Sequence, residues 1–400
     1  MTKPWLDVIG IGEDGTDGLS TSALECLSRA EIIIGGDRHH TLVPNARAER
    51  ISWPSPFDAM IAKIRSYKGK RIVVLVTGDP LWYSVGARIL KAIPREEVCF
   101  HPQLSAFQWA ACRMGWSLAD CETLTIHGRP DSQMLPYLAP NVRMLVLTQD
   151  SDSPETAAKL LSDHGFGKSR MSVLAALGGD REERFDGVAE TWSHDVPDFH
   201  TLAIECVAGA DAQWYPRTGG LPDEAFIHDG QITKRFIRAA TISSLAPYPG
   251  AVLWDVGAGC GSVAIEWMRA ARETAAFAIE PVSERTSMIA ENSARLGVEK
   301  LKIIQGRAPE SLKSLPQPDA VFIGGGLTTE DVFETCWDAL RDTGRMVANA
   351  VTVESEAKLL KLQHQYGGDL ARFSVQQAEP VGRFKGWKPL MPVTQWSVVK

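Results

Sequence analysis

Two short glycine-rich stretches, Gly10-Ile-Gly12 and Gly257-Ala258-Gly259-Cys-Gly261, each follow directly on an apolar run. Glycine at the exit of a strand lets backbone N–H groups approach a ligand that a Cβ would hold away, and a helix N-terminus beyond it favours negative charge. Both stretches read as cradles for a nucleotide-type cofactor, present twice in one chain. The second carries more chemistry. Asp255 lies just before its first glycine, and the next strand-like run, Phe277-Ala-Ile-Glu280, closes on another carboxylate. A dinucleotide fingerprint places its third glycine one residue later than Gly261, so the spacing argues against a nicotinamide enzyme.

Loops of this kind must be held by strands that alternate with helices. In the first half, Asp7-Val-Ile-Gly10, Glu31-Ile-Ile-Ile-Gly35, Arg71 to Thr77 and Arg143 to Thr148 read as strands. Ser153 as N-cap, Pro154 at the first helical position and Gly165 as terminator predict a helix. From Ala208 to Glu224 turn formers cluster and periodicity is lost. The second half restarts with a helix over 233–245, then strands at Ala251 to Val256, Ala276 to Glu280, Lys302 to Gln305, Ala320 to Gly324 and Arg345 to Asn349. The expectation is an α/β chain of two domains, 1–208 and 225–400, joined by a linker over 209–224.

Composition narrows the partners. The chain of 400 residues has a formal net charge of −7, which argues against a nucleic-acid footprint. Its apolar runs are strand-sized, too short to span a bilayer. The seven cysteines contain no C-x-x-C pair and read as reduced thiols of a cytoplasmic protein, with neither a disulfide framework nor a zinc site.

The loop Gly257 to Gly261 with Glu280 resembles the S-adenosylmethionine site of class I methyltransferases, which have a Rossmann-like fold. In the first half, Val8 to Ser20, Gly35-Gly-Asp-Arg38-His39, Gly78-Asp79-Pro80, Ser105-Ala106, His127-Gly-Arg129 and Leu177 to Arg184 together are similar to the class III tetrapyrrole methylases. Those enzymes bind the same cofactor in a cleft between two α/β subdomains. The resemblance implies a fusion with one S-adenosylmethionine per domain. The first domain would methylate carbon 5 of a precorrin. The second, carrying Asp223-Glu-Ala-Phe, Thr233-Lys-Arg and Asn349 to Glu354, would methylate carbon 15 and decarboxylate the acetate on carbon 12, within cobalamin biosynthesis. The chain departs from the family patterns at Glu13, Gln103 and Arg307.

The resemblance implies cofactor contacts at Gly10, Gly12, Gly78, Asp79, Pro80, Ser105 and Ala106, and at Thr233, Asp255, Gly257, Ala258, Gly259, Gly261, Glu280 and Ala308. Glu280 would accept both ribose hydroxyls, because a carboxylate has two acceptor oxygens and no donor. A polycarboxylate ring calls for basic side chains. Arg38, His127 and Arg129 are the catalytic candidates, with His39 and His40 as further proton-transfer groups. Lys234, Arg238, Asn349, Arg383, Lys385 and Lys388 are candidates for holding substrate, with Trp387 a possible stacking surface more simply read as packing. Gly324 and Gly325 end the fourth strand where amine methylases carry an Asn or Asp followed by prolines; their space and N–H groups suit a bulky or anionic acceptor. No metal is called for, and relatives imply a homo-oligomer, dimeric or tetrameric. The competing reading is an RNA or protein methyltransferase whose N-terminal module only recruits substrate. The acidic balance and the missing amine-type motif count against it.

Overall fold

The computed structural model describes residues 4–53 and 58–400. The chain divides into two compact units, Met1–Asp131 with Pro140–Gln213, and Ser132–Ala139 with Trp214–Lys400. Within 209–224 the backbone changes allegiance. Gly209 N donates to Gly165 O (2.8 Å) and Gln213 N to His164 O (2.9 Å) in the first unit, whereas Leu221 is buried in the core of the second.

The first unit holds two five-stranded sheets. One is built from β1 (Leu6–Ile11), β2 (Ile32–Gly35), β3 (Glu49–Ser52), β4 (Ile72–Thr77) and β5 (Val98–His101), in the order β3-β2-β4-β1-β5 and parallel throughout. Every residue from Ile72 to Val76 is buried, as an unbroken β-branched and leucine run should be when helices cover both faces. The other contains β6 (Cys121–Thr125), β7 (Arg143–Leu147), β8 (Arg170–Ala175), β9 (Glu183–Val188) and β10 (His200–Glu205), in the order β6-β7-β10-β8-β9. Only β6 and β7 run parallel there. Helix Ala106–Met114 packs Phe107, Ala110 and Ala111 against Leu145, Leu174 and Ala203 of this sheet.

The second unit is one seven-stranded sheet with helices on both faces. Its strands are β11 (Val252–Val256), β12 (Ala275–Glu280), β13 (Lys302–Gln305), β14 (Ala320–Ile323), β15 (Arg345–Ala350), β16 (Asp369–Phe373) and β19 (Val393–Val399). The order is β13-β12-β11-β14-β15-β19-β16, with β19 alone running antiparallel to its neighbours β15 and β16. Between them β17 (Gln376–Val381) and β18 (Phe384–Pro389) form a separate hairpin. Among the described residues no helix is long and apolar enough to cross a membrane.

Helix Ser153–Asp163 begins one residue earlier than its sequence signals imply. Asp152 is the N-cap, and Ser153 Oγ instead accepts from Gln149 N (3.0 Å) and Asp150 N (3.2 Å), the turn before the helix. The helix expected over 233–245 runs from Arg235 to Leu245, because Thr233 and Lys234 stay outside the helix to form its cap.

Candidate functional site

In a parallel sheet the loops leaving two neighbouring strands part to opposite sides where the strand order reverses, and a ligand crevice opens there. The first sheet reverses between β1 and β4. Gly10, at the end of β1, lies so close to Gly78, just past β4, that a Cβ on Gly10 would collide with the Gly78 carbonyl. Gly78 has φ +62°, and a Cβ there would stand 2.9 Å from Ser105 Cα. Three loops therefore meet at Gly10, Gly78 and Ser105. Ser105 Oγ is buried without a hydrogen-bond partner, a donor and acceptor left for a polar ligand. Asp79 Oδ1 accepts from Leu81 N (2.7 Å) and Trp82 N (3.1 Å), so this carboxylate closes the turn that carries Gly78 and Pro80. Ala106 opens the helix behind Ser105, and Gly12 leads into Glu13 and Asp14.

Beside these loops, Arg38 is ion-paired to Glu13, donates to Thr77 Oγ1 (2.5 Å) and lies 4.0 Å over the Phe199 ring. Glu13 also faces Arg181 at 3.5 Å, with its side chain only 6% exposed. His39 Nδ1 accepts from Gly36 N (3.0 Å), which leaves the proton on Nε2, facing Thr77 Oγ1 at 3.0 Å. Burial, with the Arg38 charge next to it, pushes His39 down to about 4. The imidazole is thus neutral and held between Gly36 N and Thr77 Oγ1. His40 is buried and spends Nε2 on Ile51 O (3.2 Å), while its Nδ1 is buried without a hydrogen-bond partner.

His127 is exposed, and its Nδ1 lies 3.2 Å from Thr148 O, so Nδ1 carries the proton and Nε2 is left as the acceptor. Thr148 Oγ1 in turn donates to His200 O (3.0 Å), next to the Phe199 that carries Arg38. Arg129 lies 5.7 Å from the Tyr83 ring. The residues that sequence reasoning passed over here are Thr77, Arg181 and Phe199. Arg181 lies within the Leu177 to Arg184 stretch but was not singled out there, and Phe199 lies outside every stretch quoted.

The sheet of the second unit reverses between β11 and β14, and the same device recurs. Gly257 has φ +74°, and a Cβ there would meet Gly325 N at 2.8 Å. Gly257 N and Ala258 N donate to Ile279 O (3.0 and 3.1 Å). Gly259 N donates to Glu280 Oε2 (2.9 Å) and Val282 N to Glu280 Oε1 (3.1 Å), leaving each carboxylate oxygen one further lone pair. Gly261, at φ +80°, lets the chain turn tightly beneath Ile289 into helix Ser262–Ala270. Asp255 is fully buried. Its Oδ2 accepts from Ala264 N (3.0 Å), Oδ1 has no partner, and burial raises the carboxyl to about 7. Ala308 is half-buried in the segment following β13. Asn292, which no motif flagged, bridges Ile227 and Cys260 O (3.1 Å), tying the glycine loop to the segment before the helix. The glycine cradle, the carboxylate at the end of β12 and the unpaired Asp255 oxygen fit an adenosyl cofactor.

Two expectations for substrate contacts, at Arg238 and at the Gly324 and Gly325 N–H groups, are corrected. Arg238 has no exposed surface. Its guanidinium bonds Glu266 Oε1 (2.6 Å), Asp223 Oδ1 (3.1 Å), Leu221 O (2.5 Å) and the Thr233 carbonyl, so all three nitrogens serve the fold. Gly324 N and Gly325 N both donate to Val256 O (2.9 and 3.3 Å), so these N–H groups are not an anion cradle, although both glycines are exposed. Asn349 donates to Thr241 Oγ1 (3.1 Å) and accepts from Gln395 Nε2 (2.9 Å), a network that ties β15 to β19 and uses one of its two N–H donors. Lys234 lies 3.8 Å from Asp223. Arg383, Lys385, Trp387 and Lys388 lie on the β17–β18 hairpin, with Lys388 paired to Glu379 (2.9 Å); among the described residues no hydrogen bond or ion pair joins them to the glycine loop.

The profile of the tetrapyrrole (corrin/porphyrin) methylases matches residues 6–192, and that of the precorrin methyltransferase domain matches residues 224–400. A precorrin-6Y C(5,15)-methyltransferase (decarboxylating) from a Sinorhizobium species is 43% identical over 402 residues, covering 100% of this chain and 97% of that protein. The chain belongs to the precorrin-6Y C(5,15)-methyltransferase (decarboxylating) family. A second relative of that name, from Mycobacterium tuberculosis, is 39% identical and covers 98% of this chain and 99% of its own. The solved C-terminal domain of the family's Rhodobacter capsulatus member is 44% identical, spans 46% of this chain and 100% of that one, and superposes with a TM-score of 0.44. As a member of the precorrin-6Y methyltransferase family the protein is a methyltransferase, with S-adenosylmethionine as methyl donor. These relatives lend no support to an RNA or protein methyltransferase with a non-catalytic recruiting module.

Proposed function

We propose that this chain performs both methylations of a precorrin-6 type ring. Residues 1–208 would act at carbon 5, and residues 225–400 at carbon 15 with loss of the carbon 12 acetate carboxylate. Each domain would hold its own S-adenosylmethionine. The observation that carries this reading is the repeated construction: each glycine loop lies where strand order reverses and is pressed against a glycine of the neighbouring loop, Gly10 on Gly78 and Gly257 on Gly325.

The cofactor supplies an electrophilic methyl group on a sulfonium; the conjugated ring supplies the electron pair, so no nucleophilic side chain is needed. The protein's work is alignment in a dry site. Gly10, Gly78 and Ser105 would seat one cofactor, and Gly257, Gly259, Asp255 and Glu280 the other. Arg38, Arg129 and His127 would border the first acceptor, and Lys234 the second. Self-association belongs to the same proposal, supported by a hairpin that exposes Phe384 at 67% and Trp387 at 73%. We assign the enzyme to the cytoplasm because its seven cysteines form no disulfide among the described residues.

Equilibrium dialysis of labelled S-adenosylmethionine with the full chain tests the count of sites. Two equivalents per chain are expected, and one each for Gly10→Ala and Gly257→Ala. A single equivalent in the unaltered protein would refute the two-site reading.

A further inference from the structure

We propose that Asp7, Cys26 and His101, joined by Cys99, form a site for a zinc-type divalent cation. It lies beneath the first glycine loop and apart from the cofactor residues. Asp7 of β1 and Cys99 of β5 are register partners, and Ile9 pairs with His101. Side chains two apart on a strand share a face, so Asp7, Cys99 and His101 line one side of the sheet edge. Helix Thr21–Arg29 covers that side: Ala23 and Leu27 pack with Ile9 and Ile11, and Cys26 sits among them. A ligand atom from each of Asp7, Cys26 and His101 lies within 4.8 Å of the others, and His101 Nε2 is 2.9 Å from Asp7 Oδ1.

Tetrahedral zinc holds thiolate sulfur at ~2.3 Å and imidazole nitrogen at ~2.0 Å, which sets neighbouring ligand atoms about 3–4 Å apart. Asp7, Cys26 and His101 come together at close to this spacing, with Cys99 beside Asp7 on the neighbouring strand. One carboxylate, one imidazole and up to two thiols make a borderline-soft set that selects zinc over magnesium or calcium. All the side chains are partly buried, in a layer otherwise packed by isoleucine, leucine and alanine. On binding, each coordinating thiol would release its proton to solvent, and the cation would replace the His101–Asp7 hydrogen bond. The ion would pin β1, β5 and the helix together three residues before Gly10 and four before Ser105. The cysteine spacing hides the site, because its members come from three separate elements.

The test uses the full chain, stripped with a chelator and titrated with Zn²⁺ and with Co²⁺. The proposal expects one equivalent of zinc by elemental analysis and a rise in melting temperature with added Zn²⁺. Co²⁺ should give a near-ultraviolet sulfur-to-cobalt charge-transfer band. Cys26→Ser and His101→Ala should each weaken binding by at least about 10–100-fold, the loss seen even for outer-shell changes. His101, on an edge strand, provides the second variant should Cys26→Ser fold poorly. Substoichiometric zinc in the unaltered chain, or a cobalt spectrum unchanged in both variants, would overturn the assignment.

Discussion

Replacing Arg238 with leucine separates a structural from a substrate-binding role for the best-placed cation near the second loop. Its guanidinium makes contacts with Glu266, Asp223, Leu221 O and Thr233 O and lies 4.7 Å over the Phe226 ring, all without exposed surface. Leucine leaves the Glu266 carboxylate buried with only Gly220 N (2.6 Å) and Leu221 N (2.9 Å) as donors. Removing one partner of a buried pair costs about 3–5 kcal/mol. For a unit of this size each kcal/mol moves the melting point by ~2–4 °C, so a fall of roughly 6–20 °C is expected. The double variant Arg238→Met/Glu266→Met should recover much of that loss, because no buried charge remains unpaired. Differential scanning calorimetry on the purified full chain reads both. A shift of Arg238→Leu below about 3 °C, accompanied by a raised KM for the tetrapyrrole, would refute this reasoning and restore Arg238 to the substrate.

Glu280→Gln keeps the shape of the β12 carboxylate but removes its charge, and charge-assisted bonds are worth ~1.5–3 kcal/mol. S-adenosylmethionine binding to the second unit should weaken by about 10–100-fold in calorimetric titration, with the first site unchanged. His39 has its folded value depressed to about 4 against 6.5 for the free side chain, so the unfolded chain binds the extra proton between those values. Stability should therefore fall as pH drops from 6.5 toward 4, by about 1–3 kcal/mol, and His39→Gln should flatten that slope in denaturant titrations. Phe384→Glu with Trp387→Glu should shift the species seen by analytical ultracentrifugation to lower mass while the fold of the sheet survives.

The alternating elements and the two glycine loops were legible in the sequence because strands covered on both faces are written as unbroken apolar runs, and tight exits demand glycine. Ala251 to Val256 and Ala276 to Glu280 became β11 and β12 almost to the residue. Arg238 was misread because a cation on a helix is ordinarily a surface residue. Its partner Glu266 lies 28 positions away, and nothing local announces the pair. The sequence leaves the Gly324 and Gly325 N–H groups free, because only the parallel pairing of β11 with β14 brings the Val256 carbonyl to them. The strands β16 to β19 went unread for a similar reason: β16 to β18 are largely exposed and lack a buried face's alternation, while β19 is placed by antiparallel pairing with β15. Thr77, Phe199 and Glu13 around Arg38 are a tertiary meeting of four separate loops.

The central claim is that two separate sites on one chain carry out two methylations of one ring. Product mass after incubation of a precorrin-6 substrate with S-adenosylmethionine tests it, comparing the unaltered enzyme with Gly10→Ala and Gly257→Ala. Each added methyl collides with or crowds the backbone of a neighbouring loop in one unit only, that of Gly78 or of Gly325. The unaltered enzyme should add two methyl groups and lose one carboxyl group. Gly10→Ala should omit only the carbon 5 methyl, and Gly257→Ala should omit the carbon 15 methyl together with the decarboxylation. The same product from both variants, or loss of both methyl additions from either one, would contradict the account.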